Sequence, residues 1–168
     1  MPSTSSELDL HRVRLIALPL DVMARAREQY EGLMREFALI VNPHPNTHYD
    51  VPRRLLDVAT ALRERFAAFT AEPNALIERA IQRGDRSIDT EMRLPAEARE
   101  AALSLAALLE EADDYCRQGD LLTLATPPEL VTFRRWYLGQ IVEQLEGAAP
   151  VAWPTWRDAA DSEPPAIS

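Results

Sequence analysis

A chain of 168 residues, 46% of them hydrophobic, suits one domain with a sizeable core. Its formal charge of −9 speaks against nucleic acid or an anionic membrane as a partner, because binding phosphates requires a basic face that displaces counterions. All 18 positive side chains are Arg and none is Lys, which excludes a P-loop lysine, a Schiff base and a Ser-Lys dyad.

Residues 1–10 are polar and Ser-rich and read as a disordered N-terminus. They lack the basic and apolar regions of a signal peptide, and no stretch of the chain reaches transmembrane length, so a cytoplasmic location is expected. The globular domain is expected over 11–156. Val13, Leu15 and Ala17 alternate with Arg12, Arg14 and Ile16 in a strand that ends at Leu18-Pro19. Asp21 then caps a helix in which Met23, Ala26, Tyr30, Leu33, Phe37 and Ile40 form one apolar stripe, with Arg27, Glu31 and Arg35 outside at i,i+4 spacing.

Asn42 to Asp50 contains two prolines and breaks the helix. A second helix from near Pro52 buries Leu55, Val58, Leu62, Phe66 and Phe69, and a third runs from about Pro73 to Arg83, ended by Gly84. Ser87 to Leu94 carries the cleanest alternation in the chain, with Ile88, Thr90, Met92 and Leu94 on one side. Pro95 opens a long helix through Gln118, with Ala98, Ala101, Leu105, Leu108, Ala112 and Tyr115 inside, and Leu121 to Ala125 form a third strand. Thr126-Pro127-Pro128-Glu129 starts the next helix and Gly147 stops it. Gly32 and Gly139 fall inside helices, where they suggest close helix approach. Pro154 favours an extended or polyproline-like exit, and 157–168 read as a disordered tail. The order βαααβαβα describes an α+β fold, mostly helical, with a small three-stranded sheet covered by helices. The opening strand suits an antiparallel edge, and the last two strands suit a right-handed parallel crossover.

Candidate chemistry is sparse. His44, His48 and Asp50 form the one cluster with metal-compatible ligand types, set against a reading as a turn-rich connector. Glu110, Glu111, Asp113 and Asp114 crowd the C-terminal end of a helix, where the macrodipole disfavours negative charge. They read as a solvated or Arg-paired face, with Arg134 and Arg135 as candidate partners, set against a divalent ion or a basic partner. Cys116 reads as a small core residue, and Ser104 lacks the setting of a nucleophile. The three tryptophans lie in the last fifth of the chain. Trp153 and Trp156 either fold back on the domain or are presented to a partner, so Arg134, Arg135, Trp136, Trp153 and Trp156 form the candidate contact region.

Arg14-Leu-Ile-Ala-Leu-Pro-Leu-Asp-Val22, Leu33-Met-Arg-Glu-Phe-Ala-Leu-Ile40 and the run from Tyr115 through Thr126-Pro-Pro-Glu to Gln140 resemble a family of actinobacterial proteins. That family accompanies partner-switching regulators: anti-sigma kinases of the GHKL ATPase type, their STAS-domain antagonists and type 2C protein phosphatases. The resemblance covers about residues 12–154 and implies a regulatory role. An anti-sigma ATPase of this type would carry an Asn for Mg²⁺ on its second helix and a later D-x-G-x-G loop. Here that helix reads Leu55-Leu-Asp-Val-Ala-Thr-Ala-Leu-Arg-Glu-Arg-Phe66 and no such Gly pair exists, so ATP binding is not carried over. The expectation is a non-enzymatic cytoplasmic regulatory domain, without a cofactor, that works by protein contact. The alternatives are a small-ligand or metal-binding sensor or enzyme at His44, His48 and Asp50, a degenerate GHKL-like domain, and a homodimer with tryptophans at its interface.

Overall fold

The computed structural model describes residues 9–41, 50–119 and 124–161. Strand β1 (Leu10–Pro19) leads directly into α1 (Leu20–Val41), followed by α2 (Asp50–Gln82), β2 (Ser87–Pro95), α3 (Ala98–Gln118), α4 (Pro128–Leu145) and α5 (Trp153–Asp161). The fold is α+β and mostly helical. Among the described residues the sheet has two strands, β1 and β2, paired antiparallel from Leu10 opposite Pro95 to Pro19 opposite Ser87. Alternation decides the faces: Val13, Leu15, Thr90, Met92 and Leu94 are buried, while Arg12, Arg14, Glu91 and Arg93 face solvent. The register slips between Leu15 and Leu18. There Ala17 adopts a φ of 54°, a left-handed conformation that costs a non-glycine residue roughly 1–2 kcal/mol. Its N–H donates to Asp89 Oδ1 at 2.8 Å, which offsets part of that strain.

The expected third strand is not seen. Leu124 and Ala125 form a turn and a bend, and the remainder of 121–125 lies outside the described residues. The free edge of β1 is occupied instead by a side chain. Gln144 of α4 accepts the Arg14 N–H at 2.8 Å and donates to the Arg14 carbonyl at 2.7 Å, so one carboxamide imitates the ladder contacts of a neighbouring strand and blunts an exposed edge.

The sequence suggests two helices separated at Pro73, yet α2 is continuous across it. Proline withholds one N–H from the ladder, but positions 55, 73, 77 and 80 share one face at 100° per residue, and all four are buried. Burial of that stripe outweighs one missing hydrogen bond. Gly84 ends the 80s turn at a φ of 75° and Gly147 ends α4 at 98°, in each case with the wrapped backbone bonds of an αL cap, Asp85 N–H to the Ala80 carbonyl and Ala148 N–H to the Glu143 carbonyl. The chain past Gly147 also departs from expectation. Pro154 sits in the first turn of α5, where a missing N–H is harmless, and the segment is helical through Asp161 rather than extended.

In place of a single core there are two apolar clusters. One lies beneath the sheet and includes Val13, Leu15, Ile77, Met92, Trp136 and Trp153. The other joins α1, α2 and α3 through Leu33, Phe37, Leu55, Leu108, Ala112 and Cys116. Leu138 touches both.

Candidate functional site

The middle of α2 reveals what separates the two clusters. Its apolar stripe is fully buried at Leu55, Ile77 and Ala80, each 0% exposed, yet Leu62 and Phe66 on the same face are only half-buried. They line a cavity of about 650 Å³ bounded by α1, α2, β2, α3 and α4, a volume inside the roughly 300–1,000 Å³ range of small-molecule sites. Small side chains make the room: Ala59, Ala67 and Ala71 on α2 line it together with Ala98, Ala101 and Ala102 on α3.

Its polar groups are few and include the Thr60 and Thr70 hydroxyls of α2. Tyr30, Arg63, Asn74 and Tyr137 line this cavity and also an adjoining one of about 550 Å³, so they stand at the junction of the two. Burial pushes the Tyr30 hydroxyl above the usual phenol value, with Arg63 opposing, and burial does the same to Tyr137, opposed by Arg27. Both phenols therefore stay protonated and able to donate. Asn74 Oδ1 accepts from Arg27 Nη2 at 3.1 Å, which leaves its amide hydrogens as donors. The guanidinium of Arg63 has no ion-pair partner among the described residues. Arg27 and Arg134, which line the adjoining cavity, are committed to Glu78 at 3.6 Å and Asp113 at 2.9 Å.

The residues singled out from the sequence are placed elsewhere. His44 and His48 lie outside the described residues. Asp50 begins α2, is exposed, and pairs with Arg54 at 3.6 Å. Among the described residues no group of three or more His, Cys, Asp or Glu is placed to hold a metal. The four crowded carboxylates of α3 are each met by an arginine. Asp113 pairs with Arg134, Glu110 with Arg135 at 3.1 Å, Glu111 with both amino groups of Arg54 at 3.1 and 3.3 Å, and Asp114 with Arg117. The helix end is thus met by arginines of α2, α3 and α4.

The tryptophans fold back. Trp136 is 0% exposed and its indole N–H donates to the Val151 carbonyl at 2.9 Å. Trp153 packs edge-on against Trp136 and Phe133, each at 5.6 Å between centroids, and Trp156 stacks on Trp153 at 6.3 Å. Of the expected contact region, Arg135 is exposed and Trp156 half-exposed, while Arg134 is largely covered. Gln140, buried at 1% exposure, accepts the Val151 N–H at 2.8 Å and ties this segment to α4.

Sequence reasoning missed the cavity. Leu62, Phe66, Leu105 and Tyr137 have the spacing of ordinary core residues, and the one available signal is the density of alanines on the two facing helices. No helix among the described residues is long and apolar enough to cross a membrane. Compared with known proteins, the chain matches no family model, no curated protein and no solved structure.

Proposed function

We propose that this chain is a non-enzymatic regulatory domain that holds an apolar small molecule beneath α2 and transmits its occupancy by protein contact. The cavity carries this reading: a fold that packs Leu55, Ile77 and Ala80 to complete burial leaves about 650 Å³ open under the same helix. The space opens to solvent past Thr60, Arg63, Ala67, Ala71 and Asn74, and its largely apolar walls favour an occupant that removes them from water. The lining supplies apolar surface and hydrogen-bond donors but no paired acid and base and no nucleophile, which favours binding over turnover.

The test is a titration with N-phenylnaphthylamine, a neutral apolar fluorophore that brightens when desolvated. Saturable, stoichiometric binding is expected, lost in Ala59→Phe, which brings a ring into the cavity from the half-buried face of α2. Failure to bind, or equal binding to the filled variant, would remove the reading.

The transmission half of the proposal is supported by Arg135, exposed beside Glu110 of α3, and by Trp156, half-exposed on Trp153. Loss of a captured partner on Arg135→Ala and Trp156→Ala, with circular dichroism unchanged, is the expected outcome. Capture unaffected by both changes would place the contact elsewhere.

A further inference from the structure

The charge around the cavity is opposite in character to the charge of the chain. In a protein with 27 carboxylate side chains and a net charge of −9, none of the 21 residues lining the main cavity is Asp or Glu, and one is Arg. The adjoining cavity has a single carboxylate, Glu31, on the exposed face of α1.

The polar groups at the junction share a further property. Arg63, the protonated Tyr30 and Tyr137 hydroxyls and the Asn74 amide can all donate, and no carboxylate faces them within the main cavity. Beyond them the walls are mostly alanine, leucine, isoleucine, methionine and phenylalanine, with the Thr60 and Thr70 hydroxyls on α2. Donors at Arg63 and Tyr30 with mostly hydrocarbon around them complement a molecule with an acceptor head and an apolar body. An unpaired guanidinium beside a low-dielectric space selects an anionic head over a neutral one, because a charge-assisted, bidentate pair is the strongest bond available to it.

We infer that the cavity takes a single-chain amphiphilic carboxylate, with its head at Arg63 and Tyr30 and its hydrocarbon between the alanine-rich faces of α2 and α3. This rests on the small-molecule reading above and adds the ligand class to it. The alanine faces fit an unbranched or aromatic hydrocarbon in preference to a polar body, since every hydroxyl placed there would be desolvated without a partner.

Calorimetric titrations with dodecanoate and with dodecanol, both below their aggregation concentrations, test the assignment. Dodecanoate is expected to bind about two- to fivefold more tightly than the alcohol, the scale of an ion pair at an exposed guanidinium. Arg63→Gln is expected to abolish that preference, the affinity for dodecanoate falling to that for dodecanol. Arg63 is exposed on α2, so the substitution spares the fold, and an unchanged melting temperature verifies this. Equal affinity for acid and alcohol, or a preference that survives Arg63→Gln, would overturn the head-group assignment while the cavity reading stood. Failure of dodecanoate, dodecanol and N-phenylnaphthylamine alike would overturn both.

Discussion

Arg134 on α4 donates through Nη2 to Asp113 on α3 at 2.9 Å, and the two side chains are only 12% and 3% exposed. The other oxygen of Asp113 accepts the Thr126 N–H at 3.0 Å, so one carboxylate fastens α4 and the approach to it. Removing one member of a buried pair strands the other charge and costs about 3–5 kcal/mol, whereas replacing both with apolar groups is often neutral. Urea denaturation of Arg134→Ala should therefore show a loss of about that size, with much of it recovered in the double variant Arg134→Met, Asp113→Leu. A loss below about 1 kcal/mol in Arg134→Ala would mean that water already compensates the pair.

That ion pair was half legible in advance. Four carboxylates at a helix C-terminus conflict with the macrodipole, and the conflict pointed to Arg134 and Arg135 as partners, which the fold supplies. Arg54, which takes Glu111, is far away in sequence and no local rule points to it. The helices and strands with strong periodicity, α1, β2 and α3, were legible for the same reason that they are stable: one face is buried along its length. Pro73 and Pro154 misled because proline's local effect is certain while its tertiary context is not. Burial on both sides of Pro73 holds α2 together, and Pro154 initiates α5 rather than preventing it. The cavity was illegible because periodicity reports which face turns inward, and it cannot distinguish a face that meets protein from one that meets a space.

Gln144 substitutes for a strand at the edge of β1, since both of its amide groups bond to the backbone of Arg14. Gln144→Ala should cost about 1–3 kcal/mol, the range for lost hydrogen bonds and newly unpaired backbone groups. The opened edge should also raise concentration-dependent association, measurable by light scattering. Gln144→Glu separates the two roles, because a carboxylate can still accept the Arg14 N–H and cannot donate to its carbonyl. It should fall between the wild type and the alanine variant in stability. Equal stability of all three proteins would show that water serves this edge as well as the side chain does.

Cys116 is fully buried, and its thiol is pushed up from 9.0 to about 11, chiefly by desolvation and further by the nearby charge of Asp113. A group whose pKa is raised on folding stabilises the native state while it stays protonated in both states, and that contribution is lost as pH rises. Here the unfolded thiol ionises near 9 and the folded one near 11, so stability should decline between those values by on the order of 1–2 kcal/mol. The raised Tyr30 and Tyr137 hydroxyls act in the same direction at higher pH, so the diagnostic quantity is the difference between wild type and Cys116→Ala. That difference should be constant below pH 8 and shift towards the variant above pH 9. Alkylation by iodoacetamide should be slow in the native protein and fast in urea; rapid native labelling would show that the thiol is accessible.

Thr90 presents an unusual local cost. It lies on the inner face of β2, 5% exposed, and its hydroxyl is the one buried side-chain polar atom among the described residues that finds no hydrogen-bond partner. Its neighbours on that face are Met92 and Leu94, which turn towards the cavity. An unsatisfied buried donor costs about 1–3 kcal/mol, and valine has nearly the same shape, keeps the β-branched fit to a pleated strand and carries no polar group. Thr90→Val should therefore raise stability by about 1 kcal/mol or more and increase the melting temperature by roughly 2–4 °C, as expected for a domain of this length. A decrease would mean that a bound water satisfies the hydroxyl in the groove that Thr90 lines with Phe69, Pro73 and Leu76 between α2 and β2.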